Sequence, residues 1–100
     1  MARYYLTNKA VSDLEGIWDY TVDNWSENHA DKYYHLLVDS FNEIASKPLI
    51  GRLYLGIVDN LKGYQVGKHI VFYRVIDSNN VEIVRILHER MDLKNRITEK

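Results

Sequence analysis

Two histidines in neighbouring predicted strands are the residues of this chain that are best suited to proton transfer. Apolar residues run through HIVFYRVI (69–76) and VEIVRILH (81–88), with the turn-forming sequence Asp-Ser-Asn-Asn between them, which is typical of a β-hairpin. Such a turn places His69 opposite His88. An imidazole titrates near neutral pH, so one of the pair can serve as a general acid or base. From the sequence alone we favour the simpler interpretation, two histidines at the rim of a sheet without a catalytic role.

A metal site at these histidines is less well supported, because two imidazoles need a third ligand and Glu82 lies several residues along the strand. His29 and His35 are six residues apart and fall on different faces of a helix. The chain has no cysteine, which excludes disulfides and thiolate ligands. We therefore expect no metal ion and no cofactor.

Arg74 and Arg85 each interrupt an apolar strand. A guanidinium binds a phosphate or a carboxylate through two parallel hydrogen bonds, which would suit a target-binding role. Alternatively, the two arginines tie the last strand into the fold by pairing with acids such as Asp19, Asp23 or Asp92, since a buried cation needs an acceptor. The sequence leaves both interpretations open.

These residues must be positioned by a single domain, residues 1–100, with the element order β-α-α-β-β-β. Apolar residues at spacings of three and four predict one helix after Thr7 or Asn8 and a second from Ser26 to about Lys47, where Pro48 ends it. Strands are predicted at 3–6, 61–66, 69–76 and 81–88, and a loop at 48–60. The predicted class is α+β, a helical hairpin packed on one face of a small, mainly antiparallel sheet.

The predicted turns also commit the sheet to one register. Opposed positions are 76 and 81, 74 and 83, 72 and 85, 70 and 87, 69 and 88, 66 and 69, and 64 and 71. One face then carries Ile70, Phe72, Arg74, Ile83, Arg85 and Leu87, and the other carries Tyr64, Val66, Val71, Tyr73, Val84 and Ile86. Both faces are apolar. We expect the first to pack on the helices, because its aliphatic side chains are denser.

Composition limits the class of partner. The net charge is −1, with −4 on residues 1–50 and +3 on residues 51–100, which is far from the basic footprint of a nucleic-acid-binding protein. We expect no sequence-specific binding to nucleic acid. No apolar run approaches the roughly 20 residues of a membrane span, and residues 1–20 do not resemble a secretion signal. The expected location is therefore the cytoplasm, without a membrane partner.

The stretch GKHIVFYRVIDSNNVEIVRILHERMD (67–92) resembles the C-terminal signature of the ParE toxins, within the wider RelE/ParE superfamily. That signature reads approximately G-x-H-x-x-x-Y-R, a turn, and I-x-R-x-L-H-x-R-M-D. It is matched here by Gly67, His69, Tyr73, Arg74, Ile83, Arg85, Leu87, His88, Arg90, Met91 and Asp92. The segment LTNKAVSDLEGIWDY (6–20) resembles the first helix of the family.

The resemblance implies the toxin of a type II toxin–antitoxin system, of the kind associated with plasmid stabilisation. It implies two partners, DNA gyrase, which the toxin inhibits by protein–protein contact without chemistry of its own, and a cognate ParD-like antitoxin. A hetero-oligomer with the antitoxin is compatible with it. The residues expected to bind the target or to order the tail are Tyr73, Arg74, Arg85, His88, Arg90, Met91 and Asp92, with the tail 94–97. Trp18, Trp25 and Tyr34 are the expected antitoxin contacts.

The alternative is the RelE branch of the same superfamily, whose members are ribosome-dependent mRNA endoribonucleases. Many of these carry an arginine directly after the histidine that aligns with His69, and this chain has Ile70 there. An isoleucine cannot stabilise a phosphorane. One departure from ParE is Lys62, where the family commonly has arginine. Lysine keeps the positive charge but cannot make the bidentate hydrogen bonds of a guanidinium.

Overall fold

The computed structural model describes residues 2–53, 61–91 and 97. The described elements are β1 (Arg3–Leu6), α1 (Asn8–Asn24), α2 (Glu27–Ser46), β2 (Arg52–Leu53), β3 (Lys62–Val66), β4 (His69–Asp77) and β5 (Asn80–His88). The predicted order of elements is confirmed. The short strand β2 lies in the segment that the sequence predicts as a loop.

Both helices begin at the caps that the sequence predicts. Thr7 Oγ1 accepts the amide of Ala10 at 3.1 Å, and Ser26 Oγ accepts the amide of His29 at 3.0 Å. Each hydroxyl satisfies one of the free amides of a first helical turn. Pro48 follows Lys47, the C-cap residue of α2. Neither described helix is long and apolar enough to cross a membrane.

The five strands form one sheet in the order β1-β5-β4-β3-β2. β1 is parallel to β5, and the other neighbours are antiparallel. Between β4 and β5, the predicted pairs farthest from the connecting turn are confirmed. His69 faces His88, Ile70 faces Leu87 and Phe72 faces Arg85. Val66 faces His69, and Tyr64 faces Val71, as predicted.

Two of the predicted pairs, 74 with 83 and 76 with 81, are wrong. Arg74 faces Glu82 and Val75 faces Val81, because the register shifts between Val75 and Asp77 and shifts back between Phe72 and Tyr73. β4 carries the extra residue at the shift between Val75 and Asp77, and β5 carries the extra residue at the shift between Phe72 and Tyr73. The two β-bulges therefore offset each other, and the pairing beyond them is the predicted one.

The predicted choice of the helix-facing side is wrong for β3 and β4, whereas Ile83 of β5 does lie in the core beneath the helices, as predicted. The core beneath the helices takes Val66, Val71 and Tyr73 from β3 and β4, where they pack with Leu37, Phe41 and Ile44 of α2. The opposite side of the sheet carries a second cluster made of Leu61, Ile70, Phe72 and Leu87, with Val84 and Ile97 packed against it. Aliphatic density could not identify the helix-facing side, because both sides are covered.

Candidate functional site

The two histidines of the predicted pair are in contact. The ring centroids of His69 and His88 lie 5.3 Å apart at an interplanar angle of 81°. A third ring, Tyr33 of α2, packs against His69 with its hydroxyl oxygen 2.6 Å from Nδ1. Sequence reasoning missed Tyr33, because it is one of eight tyrosines and its spacing marks nothing beyond a helix face.

Tyr33 contacts both His69 and the backbone of the turn that precedes it. The hydroxyl donates to the carbonyl of Val66 at 3.1 Å and accepts the amide of Lys68 at 3.2 Å. The donor in the contact between the Tyr33 hydroxyl and Nδ1 of His69 depends on the tautomer of the imidazole ring. Burial, and then the neighbouring His88, lower the pKa of His69 to about 4, against smaller opposing effects of Glu89 and Asp13. At neutral pH His69 is therefore uncharged.

His88 stabilises the turn that follows β5. Its Nδ1 lies 3.1 Å from the amide of Arg90, which donates to it, so the proton of the neutral ring is on Nε2. The amide of Glu89 donates to the carbonyl of Lys68 at 2.9 Å, and the amide of Met91 donates to the carbonyl of His88 at 3.0 Å. Three successive backbone amides are thus held. We call residues 88–91 the tip; the side chains of Arg90 and Met91 are exposed on it.

Each histidine of the pair uses one ring nitrogen in a structural contact, which leaves only Nε2 of each ring for a substrate. A general acid and a general base must both present ring nitrogens to a substrate. Here Nδ1 of His69 is engaged by Tyr33, Nδ1 of His88 is engaged by the amide of Arg90, and the two rings pack against each other. The described residues contain no group of three or more potential metal ligands.

Arg85 forms a shielded ion pair with the first helix. Its Nε and Nη2 donate to the two carboxylate oxygens of Asp13 at 2.8 and 3.0 Å, and the amide of Ile86 donates to the same carboxylate at 3.0 Å. The predicted partners Asp19 and Asp23 are therefore wrong for Arg85. β1 ends at the pair Leu6–Ile83, so the start of α1 lies along the remaining edge of β5.

The helix start covers that edge with side-chain groups. Thr7 donates its amide to the carbonyl of Ile83 at 3.0 Å and its hydroxyl to the carbonyl of Val84 at 2.8 Å. Asp13 then accepts the amide of Ile86. These bonds replace the strand that would otherwise pair there. The predicted structural role of Arg85 is thereby consistent with the geometry, with Asp13 as the partner that the sequence did not identify.

The other predicted site residues lie in different surroundings. Tyr73 is fully buried under the helices, and its hydroxyl donates to the carbonyl of Pro48 at 2.8 Å and accepts the amide of Gly51 at 2.9 Å. It therefore supports the loop after α2, and burial raises the pKa of its hydroxyl. Arg74 is exposed beyond the bulge, away from the buried Arg85. The expectation that both arginines lie across the helix-facing core is wrong.

The tail is only partly described. Asp92 and residues 94–96 lie outside the described residues. Ile97 is described, and it is partly buried against the second cluster, with Leu61, Ile70, Phe72 and Leu87. This contact places at least one tail residue on the side of the sheet opposite the helices.

Two of the three aromatic residues predicted to bind an antitoxin share one groove. Trp18 of α1 and Tyr34 of α2 meet edge to face, with ring centroids 6.1 Å apart. They line a groove of about 660 Å³ on the outer side of the helical hairpin, which we call the hairpin groove. It is lined by Val11, Leu14, Glu15, Trp18, Asp19, Asp31, Tyr34 and His35. Trp25 is not among them; it lies at the junction of the helices, 71% exposed, next to His29.

Comparison with known protein families and sequences finds close relatives along nearly the whole chain. Residues 4–93 match the family described as "ParE toxin of type II toxin-antitoxin system, parDE". The chain is 35% identical over 96 residues to "Toxin ParE1" of Mycobacterium tuberculosis, covering 96% of this chain and 98% of the relative. It is 33% identical over 94 residues to "Toxin ParE1" of Caulobacter vibrioides, covering 94% of this chain and 96% of the relative.

Solved structures with the same fold include two toxin–antitoxin systems. "Chromosomal ParDE TA system from P. aeruginosa" superposes with a TM-score of 0.74 at 21% identity, covering 88% of this chain and 96% of that one. The toxin–antitoxin complex RelBE2 from Mycobacterium tuberculosis superposes with a TM-score of 0.68 at 18% identity, covering 88% and 98%. At these identities the likeness concerns the fold, and it confirms the α+β arrangement that the sequence predicts.

Proposed function

Because this chain belongs to the family of ParE toxins of type II toxin–antitoxin systems, we propose that it inhibits DNA gyrase through the tip and that a ParD-like antitoxin neutralises it by binding the hairpin groove. The toxin performs no chemistry in this mechanism. The observation that carries the proposal is the tip itself, a rigid turn whose backbone amides are bonded and whose Arg90 and Met91 side chains are exposed.

A rigid tip is suited to binding another macromolecule. The bonds from His88 and Lys68 hold the turn before any partner arrives, so less conformational entropy is lost on association. Arginine and methionine are both enriched in protein interfaces. Met91 is 43% exposed on this turn, so its side chain is accessible to a partner. The tip also coincides with the His-x-Arg-Met part of the sequence that resembles the ParE signature.

The ribonuclease alternative has weaker support in the same residues. The fold is shared with the RelBE2 complex, which keeps an mRNA endoribonuclease as the competing function. In that branch an arginine directly after the histidine that aligns with His69 would contact the scissile phosphate. Ile70 stands there and is only 5% exposed, within the second apolar cluster. The histidines use their Nδ1 atoms for packing and for the turn.

The antitoxin assignment rests on the groove. The solved structures of the same fold are a ParDE toxin–antitoxin system and the toxin–antitoxin complex RelBE2. The hairpin groove is an apolar concavity in which Tyr34 is exposed and Trp18 is half-buried. Tryptophan and tyrosine are the residues that most often dominate the energy of an interface. Trp18→Ala should therefore weaken capture of the antitoxin encoded beside this gene, measured by co-purification of the two proteins.

The target is tested with purified gyrase and supercoiled plasmid. The toxin should accumulate linear DNA in the presence of gyrase, leave transcripts intact in a translating extract, and arrest growth when expressed without antitoxin. The variant Arg90→Ala/Met91→Ala should need at least about tenfold more protein for the same linear DNA, the scale of one or two interface hot spots. The matched control is Arg3→Ala, because Arg3 is exposed and lies at the opposite end of β5, beside Asn80. Cleavage of transcripts on ribosomes that is lost in His88→Ala would overturn the proposal in favour of the ribonuclease.

A further inference from the structure

The helical hairpin is strongly acidic, in contrast to the rest of the chain. Residues 8–46 contain eight carboxylates against two lysines, a formal charge of −6. Asp13 is neutralised by Arg85. The remaining carboxylates belong to a surface whose potential repels anions, so nucleic acid and anionic lipid are excluded as ligands of this side of the molecule.

Three of these carboxylates line the hairpin groove. Glu15 and Asp19 lie one helical turn apart on α1, and Asp31 lies across from them on α2. Like charges at this spacing repel each other along a helix, and a cation placed between them would relieve the repulsion. The eight lining residues, all within the described part of the chain, include no lysine or arginine. Nδ1 of His35 donates to the backbone carbonyl of Asp31 at 2.8 Å.

The floor of the same groove is apolar. Val11, Leu14, Trp18 and Tyr34 supply it, with Val11 42% and Tyr34 40% exposed. Its volume of about 660 Å³ has room for a few large side chains, though not for a whole helix. A segment that binds here must therefore insert apolar side chains between carboxylates.

We infer that the hairpin groove selects an amphipathic segment with apolar anchors flanked by lysine or arginine, and discriminates against an acidic segment of the same shape. This deepens the proposed function, since it names the chemistry of the antitoxin segment that the groove takes. The apolar floor provides the affinity, and Glu15, Asp19 and Asp31 provide the selectivity. Complementary charges of this kind govern specificity and the association rate more than the final affinity.

Two synthetic peptides test the inference with the full-length protein. Each has about 15 residues, the length at which a helix becomes marginally stable, and carries the same leucine and tryptophan anchors at helical spacing. One has lysine and arginine beside the anchors and the other has glutamate. Calorimetric titration should show the basic peptide binding about tenfold more tightly, the combined scale of three exposed ion pairs. The difference should shrink in 1 M salt, where the screening length falls to about 3 Å.

Matched variants locate the effect. Glu15→Gln/Asp19→Asn/Asp31→Asn should abolish the preference while leaving the thermal melt in place. Asp23→Asn/Glu27→Gln/Asp39→Asn removes the same charge from exposed positions of the same helices outside the groove and should retain the preference. Trp18→Ala should weaken both peptides.

The inference is overturned if the acidic peptide binds as tightly as the basic one, if the control variant loses the preference equally, or if neither peptide binds at millimolar concentration. These results are independent of the gyrase assay. A toxin that fails on gyrase can still select the basic peptide, and a toxin that stalls gyrase can fail to select it.

Discussion

Replacing Asp13 by alanine should lower the free energy of unfolding by roughly 3 kcal/mol. The carboxylate accepts hydrogen bonds from Nε and Nη2 of Arg85 and from the amide of Ile86, at 2.8, 3.0 and 3.0 Å. The Asp13 and Arg85 side chains are only 15% and 10% exposed. Removing one partner of a buried pair costs about 3–5 kcal/mol, because the remaining charge stays shielded from water after it has lost its direct contact with the opposite charge. Because the pair keeps some exposure to solvent, we expect the cost at this site to lie at the lower end of that range.

Urea denaturation followed by circular dichroism measures the effect, and the melting temperature should fall by on the order of 15 °C for a domain of this size. The control is Asp23→Ala, an exposed carboxylate of the same helix, which should change stability by less than about 0.5 kcal/mol. Adding Arg85→Met to Asp13→Ala should recover part of the loss, since the shielded guanidinium that lost its contacts with the carboxylate is then removed as well. Equal denaturation midpoints for Asp13→Ala and Asp23→Ala would refute the reasoning.

Three further predictions concern stability. Gly51→Ala should lower the free energy of unfolding by about 1–3 kcal/mol, because a Cβ there would collide with the buried Tyr73 ring. Gly16→Ala in α1 should instead raise it by up to about 1 kcal/mol, since a Cβ at that position meets nothing within 4 Å. Thermal melts compare the two variants. Ile97→Ala should lower the free energy of unfolding by about 1 kcal/mol in urea, because Ile97 is partly buried against the second cluster. His69 has a folded pKa of about 4, below its unfolded value, so its contribution to stability is complete above pH ~6.5 and is lost as the pH falls towards 4. His69→Gln should remove this pH dependence, worth about 2 kcal/mol after allowance for solvent screening, in urea melts between pH 7 and pH 4.

Each of these predictions has its own contradicting result. Equal melts for Gly51→Ala and Gly16→Ala would show that the Tyr73 contact yields without strain. An unchanged midpoint for Ile97→Ala would mean that the tail contributes nothing to the second cluster. Parallel pH curves for the original chain and His69→Gln would show that His69 is not the group whose protonation destabilises the fold.

The sequence by itself determined the features that depend on neighbours along the chain. Thr7 and Ser26 cap helices because a hydroxyl reaches an amide three residues away, and Pro48 ends the second helix by its own sterics. The contact of His69 with His88 was predictable because a short turn joins their strands. The signature that ends in the tip likewise lies in one continuous stretch, and it was sufficient to indicate the family.

Tertiary structure decided the contacts between distant parts of the chain. Asp13 meets Arg85, and Tyr33 meets His69, across separations of 72 and 36 residues. No periodicity marks such partners, since each depends on where β1 stops and on which side of the sheet the helices pack. That side could not be read from apolar patterning because both sides are buried, and the offsetting bulges left the pairing beyond them unchanged. Local rules act through a few covalent bonds, whereas these contacts exist only after the whole core has assembled.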